Sequence, residues 1–190
     1  MEQTRRSRKR DATHRAIMHS AKMLFEENGI GNVTIDRIAE GADVSRSTFF
    51  SHFDSLDDLL TQIADEEIDD ILDAAEKDGN KDINAVFEQL TKDTYPYPYL
   101  MCELVVKSIL NNRNTSVSKV IDLFREEIES GGYDKMLKFF SSDDVSSVLF
   151  GAYFGLVFNK IISGESFDDP DEINDKIQQL IKYLKNREEN

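Results

Sequence analysis

The chain has 190 residues, 39% of them hydrophobic, which is enough for one packed domain or two small ones. Its net charge of -14 excludes a uniformly basic nucleic-acid binder, and its single cysteine, Cys102, excludes an internal disulfide or a cysteine-built zinc site. No run of about 18 apolar residues occurs and no signal-peptide core follows the basic N-terminus, so a cytoplasmic protein with no membrane partner is expected.

The charge is unevenly spread. Arg5, Arg6, Arg8, Lys9, Arg10, Arg15 and Lys22 crowd the first 22 residues against Glu2 and Asp11, whereas almost all the acid lies beyond residue 53. One end can approach a polyanion. Residues 1–11 read as a basic flexible arm. A first helix is predicted over 12–28, with Ile17, Ala21, Leu24 and Phe25 on one stripe and a stop at Asn28-Gly29. A short second helix follows, capped by Thr34, with Ile35, Ile38, Ala39 and Ala42 as its apolar stripe. Asp43 falls where the chain must turn, and Ser45 caps a third helix reaching about residue 52. Two short helices joined by a tight turn, after a longer one, make a helix-turn-helix over 12–54.

The third helix lies in "VSRSTFFSHF", residues 44–53. In helical register Phe49 and Phe53 share one face, while Arg46 and Phe50 share another. The first face suits a core; the second, with its arginine, hydroxyls and lone aromatic, suits a polar groove.

From 55 onward the chain reads as a larger helical domain. A fourth helix, with Asp54 or Ser55 as cap and Asp57 and Asp58 in its first turn, runs to about 76. Further helices are expected at 82–94, 97–112, 116–130, 133–140, 142–163 and 170–187, with no convincing strand. The fold class is therefore all-α. The 142–163 helix is apolar nearly all round and carries Gly151 and Gly155 one turn apart, which suits close approach of another backbone or a deep core. The last helix has the stripe Ile173, Ile177, Leu180, Ile181 and Leu184.

The stretch "AIMHSAKMLFEENGIGNVTIDRIAEGADVSRSTFFSHFDSLDDLL" resembles the DNA-binding head of the TetR family of transcriptional regulators. The resemblance is carried by "A..LF...G", "T...IA", "VS..T", "HF" and "LL" and covers about residues 12–60. It implies an N-terminal three-helix head joined to a ligand-binding and dimerisation domain. It also implies that the third helix enters the DNA major groove, with Ser45, Arg46, Ser47, Thr48, Phe50, Ser51 and His52 near the duplex. Arginine can read guanine through a bidentate pair, and hydroxyls can hold phosphate. Thr34 and Arg37 are placed to hold phosphates on the flank. The arm cations Arg5, Arg6, Arg8, Lys9 and Arg10 are expected to lie along phosphates or enter the minor groove. Three positions depart from the family pattern: Asp43 for the usual turn glycine, Phe50 for tyrosine, and Leu56 for a phosphate-gripping lysine.

For the larger domain the resemblance implies a homodimer through the helices at 142–163 and 170–187, packed as a four-helix bundle. It also implies a small-molecule inducer. The crowded tyrosines and prolines of "TYPYPYLMCELV" suggest a pocket touched by Phe87, Tyr99, Cys102, Val106, Phe150 and Phe154, favouring a largely apolar ligand. The functional expectation is a dimeric repressor released from a palindromic operator by that ligand. Activation through the same architecture, or a protein-binding adapter without DNA affinity, are the alternatives. No nucleophile–base pair, metal cluster or phosphate loop is evident: His14 and His19 are five apart, and "SVSK" at 116–119 lacks companion motifs. Neither an enzyme nor a cofactor is expected.

Overall fold

The computed structural model describes residues 5–75, 82–110 and 116–185. The chain divides into two compact units, residues 1–65 and 66–190, whereas the sequence reading places the division at 54/55. No strand occurs among the described residues.

The first unit is built from α1 (Arg5–Asn28), a single 3-10 turn (Ile30–Asn32), α2 (Ile35–Gly41), α3 (Arg46–Phe50) and the start of α4 (Leu56–Ala75). Its core contains most of the predicted stripes, with Leu24, Ile35 and Ala42 only half-buried at its edge. Ile17, Ala21 and Phe25 of α1, Ile38 of α2, Phe49, Phe53 and Leu59 are almost fully buried. The caps form as the side chains dictate: Thr34 Oγ1 accepts from the Arg37 amide, and Ser55 Oγ accepts from the Asp58 amide. Between α2 and α3 the chain reverses through Asp43 at φ 52, with the Val44 amide donating to Ala39 O at 2.9 Å. Aspartate tolerates this left-handed conformation better than most residues, which is how the turn forms without its glycine. Gly41 is required by packing: a Cβ there would stand 2.4 Å from Ser20 Oγ, which donates to Ile38 O and ties α1 to α2.

Within the head, two helix boundaries differ clearly from the sequence reading. The first helix begins at Arg5, not at 12, because arginine and lysine are good helix formers and a helix anchored by Ile17 and Ala21 extends through them without any apolar stripe. The third ends at Phe50, leaving Ser51 and His52 in the following turn.

The second unit holds the rest of α4 with α5 (Ile83–Thr94), α6 (Pro98–Leu110), α7 (Ser116–Ser130), α8 (Asp134–Leu137), α9 (Ser142–Ser163) and α10 (Asp171–Leu184). α9 is started by a capping box of Ser141 and Asp144 and stopped by Gly164 at φ 66. It packs along α7 and α10, burying Val145, Leu149, Tyr153, Phe154 and Val157, while α10 buries Ile173, Ile177, Ile181 and Leu184. Lys160 of α9 is buried and held by Glu172 of α10, whose carboxyl this lysine and Lys176 draw down to about 2. By length and composition α9 is the one described helix that could span a membrane. Within the unit only one of its faces is covered.

Candidate nucleic-acid interface

The outward face of α3 is assembled from short-range contacts. Ser45 Oγ accepts from the Thr48 amide at 3.0 Å and lies 2.8 Å from both Ser47 Oγ and Thr48 Oγ1, so three hydroxyls gather at the helix start. Ser51 Oγ donates to Thr48 O. Phe49 is buried, and its neighbour Phe50 is 43% exposed. The guanidinium of Arg46 stands over the Phe50 ring, 5.4 Å from its centroid, and its Nη1 pairs with Asp36 Oδ1 at 2.6 Å. Nothing in the sequence reading singles out Asp36. The only available signal is an acid in the first turn of α2, ordinarily explained by the helix dipole.

On the flank, Thr34 is exposed and serves as the α2 cap, while Arg37 reaches Asn28 Oδ1 at 3.5 Å. Arg5, Arg6, Arg8, Lys9 and Arg10 are all exposed on the first turns of α1. Arg5 with Lys9, and Arg6 with Arg10, share faces four residues apart. From Arg5 on, the flexible arm of the sequence reading is therefore a cationic rod; residues 1–4 lie outside the described residues.

His52 also departs from expectation. It is half-buried and turned toward α1, its ring 5.7 Å from that of His14, which in turn stacks on Phe53 at 4.6 Å. Burial, followed by the neighbouring His14 and Arg10, holds its pKa below the ordinary 6.5. The native state thus binds fewer protons than the unfolded chain between that lowered value and 6.5, and stability rises with pH across this window. Thermal denaturation as a function of pH should show the parent losing stability as pH falls below about 6.5. A His52→Gln variant should lose less.

The residues expected to line a ligand pocket all lie in the second unit. Phe87 and Phe154 are in the core with Cys102, and Phe150 is partly buried against them, its ring 5.0 Å from that of Phe154. Phe87 also packs on Phe124 at 4.9 Å and Tyr153 at 5.8 Å. Tyr99 and Val106, at 54% and 44% exposure, are on the surface of α6, so the six are split between core and surface. Tyr153, which no sequence pattern singles out, buries its hydroxyl by Thr94 and Thr91, and burial pushes its pKa up.

A cap-turn-cap pair of short helices on a small apolar core, presenting arginine and hydroxyls outward, defines the helix-turn-helix class of DNA-binding heads. The profile of the family described as "Bacterial regulatory proteins, tetR family" matches residues 17–63. The match is confined to the head, which is therefore similar to the DNA-binding heads of that family. Over 49 residues it is 47% identical to the uncharacterized HTH-type transcriptional regulator YdeS of Bacillus subtilis (strain 168). That match spans 25% of this chain and 25% of the relative. A transcriptional regulator of the TerR/AcrR family from Aquifex aeolicus VF5 shares the fold, with a TM-score of 0.70 at 18% identity over 90% of this chain and 99% of that one. So does NalD of Pseudomonas aeruginosa, described as the secondary repressor of the MexAB-OprM multidrug efflux pump. Its TM-score is 0.61 at 15% identity, over 94% and 98% of the two chains.

Proposed function

We propose that the chain is a cytoplasmic, sequence-specific DNA-binding transcriptional regulator. It acts as a dimeric repressor that leaves a palindromic operator when a small, largely apolar ligand binds. The observation that carries this reading is the exposed face of α3, with Arg46, Ser45, Ser47, Thr48 and Phe50, beside the exposed cations of α1, on a chain whose overall net charge is -14. A polyanion is attracted to this one region and repelled by the rest. In this reading Arg46 pairs with a guanine edge, Phe50 offers apolar contact to a thymine methyl, and the hydroxyls and α1 cations hold phosphates. Two copies place their α3 helices in successive major grooves, about 34–36 Å apart.

The exposed apolar stripe on α9 supports the dimer, with α10 beside it completing a four-helix bundle with the partner copy. The aromatic cluster around Phe87, Phe150 and Phe154, with the Tyr153 hydroxyl as a polar handle, supports a mostly apolar ligand. α4 begins in the head and ends in the body. A ligand preferring one setting of that helix would change operator affinity by its differential binding, typically about 1–3 kcal/mol. Repression is favoured by what NalD is described as doing.

DNA affinity measured against salt concentration tests the reading, using duplexes that the protein itself selects from a random pool. The parent should bind them with an affinity that falls steeply with salt, and Arg46→Ala should lose about 1–3 kcal/mol at the selected site. Equal affinity of variant and parent would remove Arg46 from base recognition, and no binding at low salt would favour a protein-binding adapter.

A further inference from the structure

The ion pair between Asp36 and Arg46 lies on the face assigned to DNA, with side chains 68% and 56% exposed. Exposed pairs of this kind contribute little to stability. A carboxylate there also repels the phosphates that the neighbouring cations attract, a cost to DNA binding that the helix-dipole contribution does not offset at the groove. Its partner here is Arg46. Its guanidinium is restrained on two sides: edge-on at Nη1 by Asp36, and on its flat face by the Phe50 ring. Arginine carries five N–H donors in a rigid planar fork, and a bidentate guanine contact uses only one edge of that fork. The nearest competing cation on α2, Arg37, is directed to Asn28, leaving Asp36 to Arg46.

Resting on the DNA-binding reading above, we propose that Asp36 is a specificity-determining residue: with Phe50 it sets the plane and reach of the Arg46 guanidinium before DNA arrives, so that the remaining edge reads guanine. The mechanism is pre-organisation. An unrestrained arginine loses rotamer freedom on docking and can satisfy itself on a phosphate or a different base; a tethered one has already lost that freedom. Asp36 therefore works against overall affinity, through its charge, and in favour of discrimination, through the fork it orients.

The test compares parent, Asp36→Ala, Asp36→Asn and Arg46→Ala on three duplexes. These are the selected operator, the operator with the guanine whose replacement Arg46→Ala tolerates best changed to adenine, and an unrelated duplex. The readout is the ratio of affinities for the guanine and adenine operators, which is insensitive to any change in the folded fraction because both affinities scale alike. Asp36→Ala should lower that ratio about five- to tenfold, part of the discrimination a bidentate pair provides. It should leave binding to the unrelated duplex unchanged or slightly tighter. Asp36→Asn, which keeps an acceptor oxygen, should recover part of the ratio. If Asp36→Ala tightens all three duplexes equally with the ratio intact, the carboxylate only masks Arg46 and the proposal fails. If the parent binds no duplex at low salt, the DNA reading itself fails.

Discussion

Phe49→Ala should unfold most of the head's stability margin. The ring is fully buried, lies 5.6 Å from Phe53, and lies edge-on to Phe50 at 5.5 Å. Its removal leaves a cavity between α3 and the rest of the small core, and such truncations cost about 3–5 kcal/mol. Small domains have only about 5–15 kcal/mol in total, so the loss is a large share of what holds the head together. At roughly 4–8 °C per kcal/mol for a unit of this size, the head transition should fall by more than about 12 °C. Differential scanning calorimetry and far-UV circular dichroism would record it, with loss of DNA binding following the melting of the head. The control is the adjacent residue. Phe50 is 43% exposed, so Phe50→Ala should cost little stability while altering DNA affinity, because it removes the surface on which the Arg46 guanidinium rests. Comparable destabilisation by the two substitutions would contradict the assignment of one ring to the core and the other to the groove.

Gly155→Glu should break the proposed dimer. Val148, Gly151, Gly155, Phe158 and Ile162 recur at alternating three- and four-residue intervals on the face of α9 that its own chain leaves uncovered. Ile162 is 84% exposed, and a Cβ added at Gly151 or Gly155 meets nothing within 4 Å. In a monomer the substitution therefore has room, and replacing a mid-helix glycine should stabilise α9 by roughly 0.5–1 kcal/mol. At an interface the same carboxylate is buried without a partner, costing several kcal/mol. The two readings differ in sign. With the dimer of the proposed function, sedimentation equilibrium should show the dissociation constant rising at least about a hundredfold, and operator binding should fall with it, since a single head contacts only half a site. A variant that remains dimeric and binds as before would place the interface elsewhere.

Much of the head was legible in the sequence because its determinants are local. Thr34 and Ser45 are caps within three residues of the amides they accept from, Asp43 is one of the few side chains that turns left-handed at low cost, and Phe49 and Phe53 are placed inward by helical spacing alone. α9, Ser142–Ser163, matches the range expected from its apolar run, and in the structure Ser141 caps its start and Gly164 its end. The start of α1 was local too, yet apolar stripes cannot mark a helix whose first turns are charged and polar.

What only the tertiary structure decided are relations between residues far apart in sequence or on equivalent faces. Asp36 meets Arg46 because the turn at Asp43 folds α3 back beside the first turn of α2. His52 meets His14 because α1 packs against the end of α3, and burial there, followed by His14 and Arg10, lowers its pKa. For α9, apolar on every side, composition could not say which face is covered; packing of α7 and α10 covers one and leaves the glycine stripe open. The same holds for Tyr99 and Val106, which share a helix face with Cys102 yet lie outside while the thiol lies within. The physical reason is that backbone conformation responds to neighbours a few residues away, whereas burial and charge pairing depend on which elements pack together.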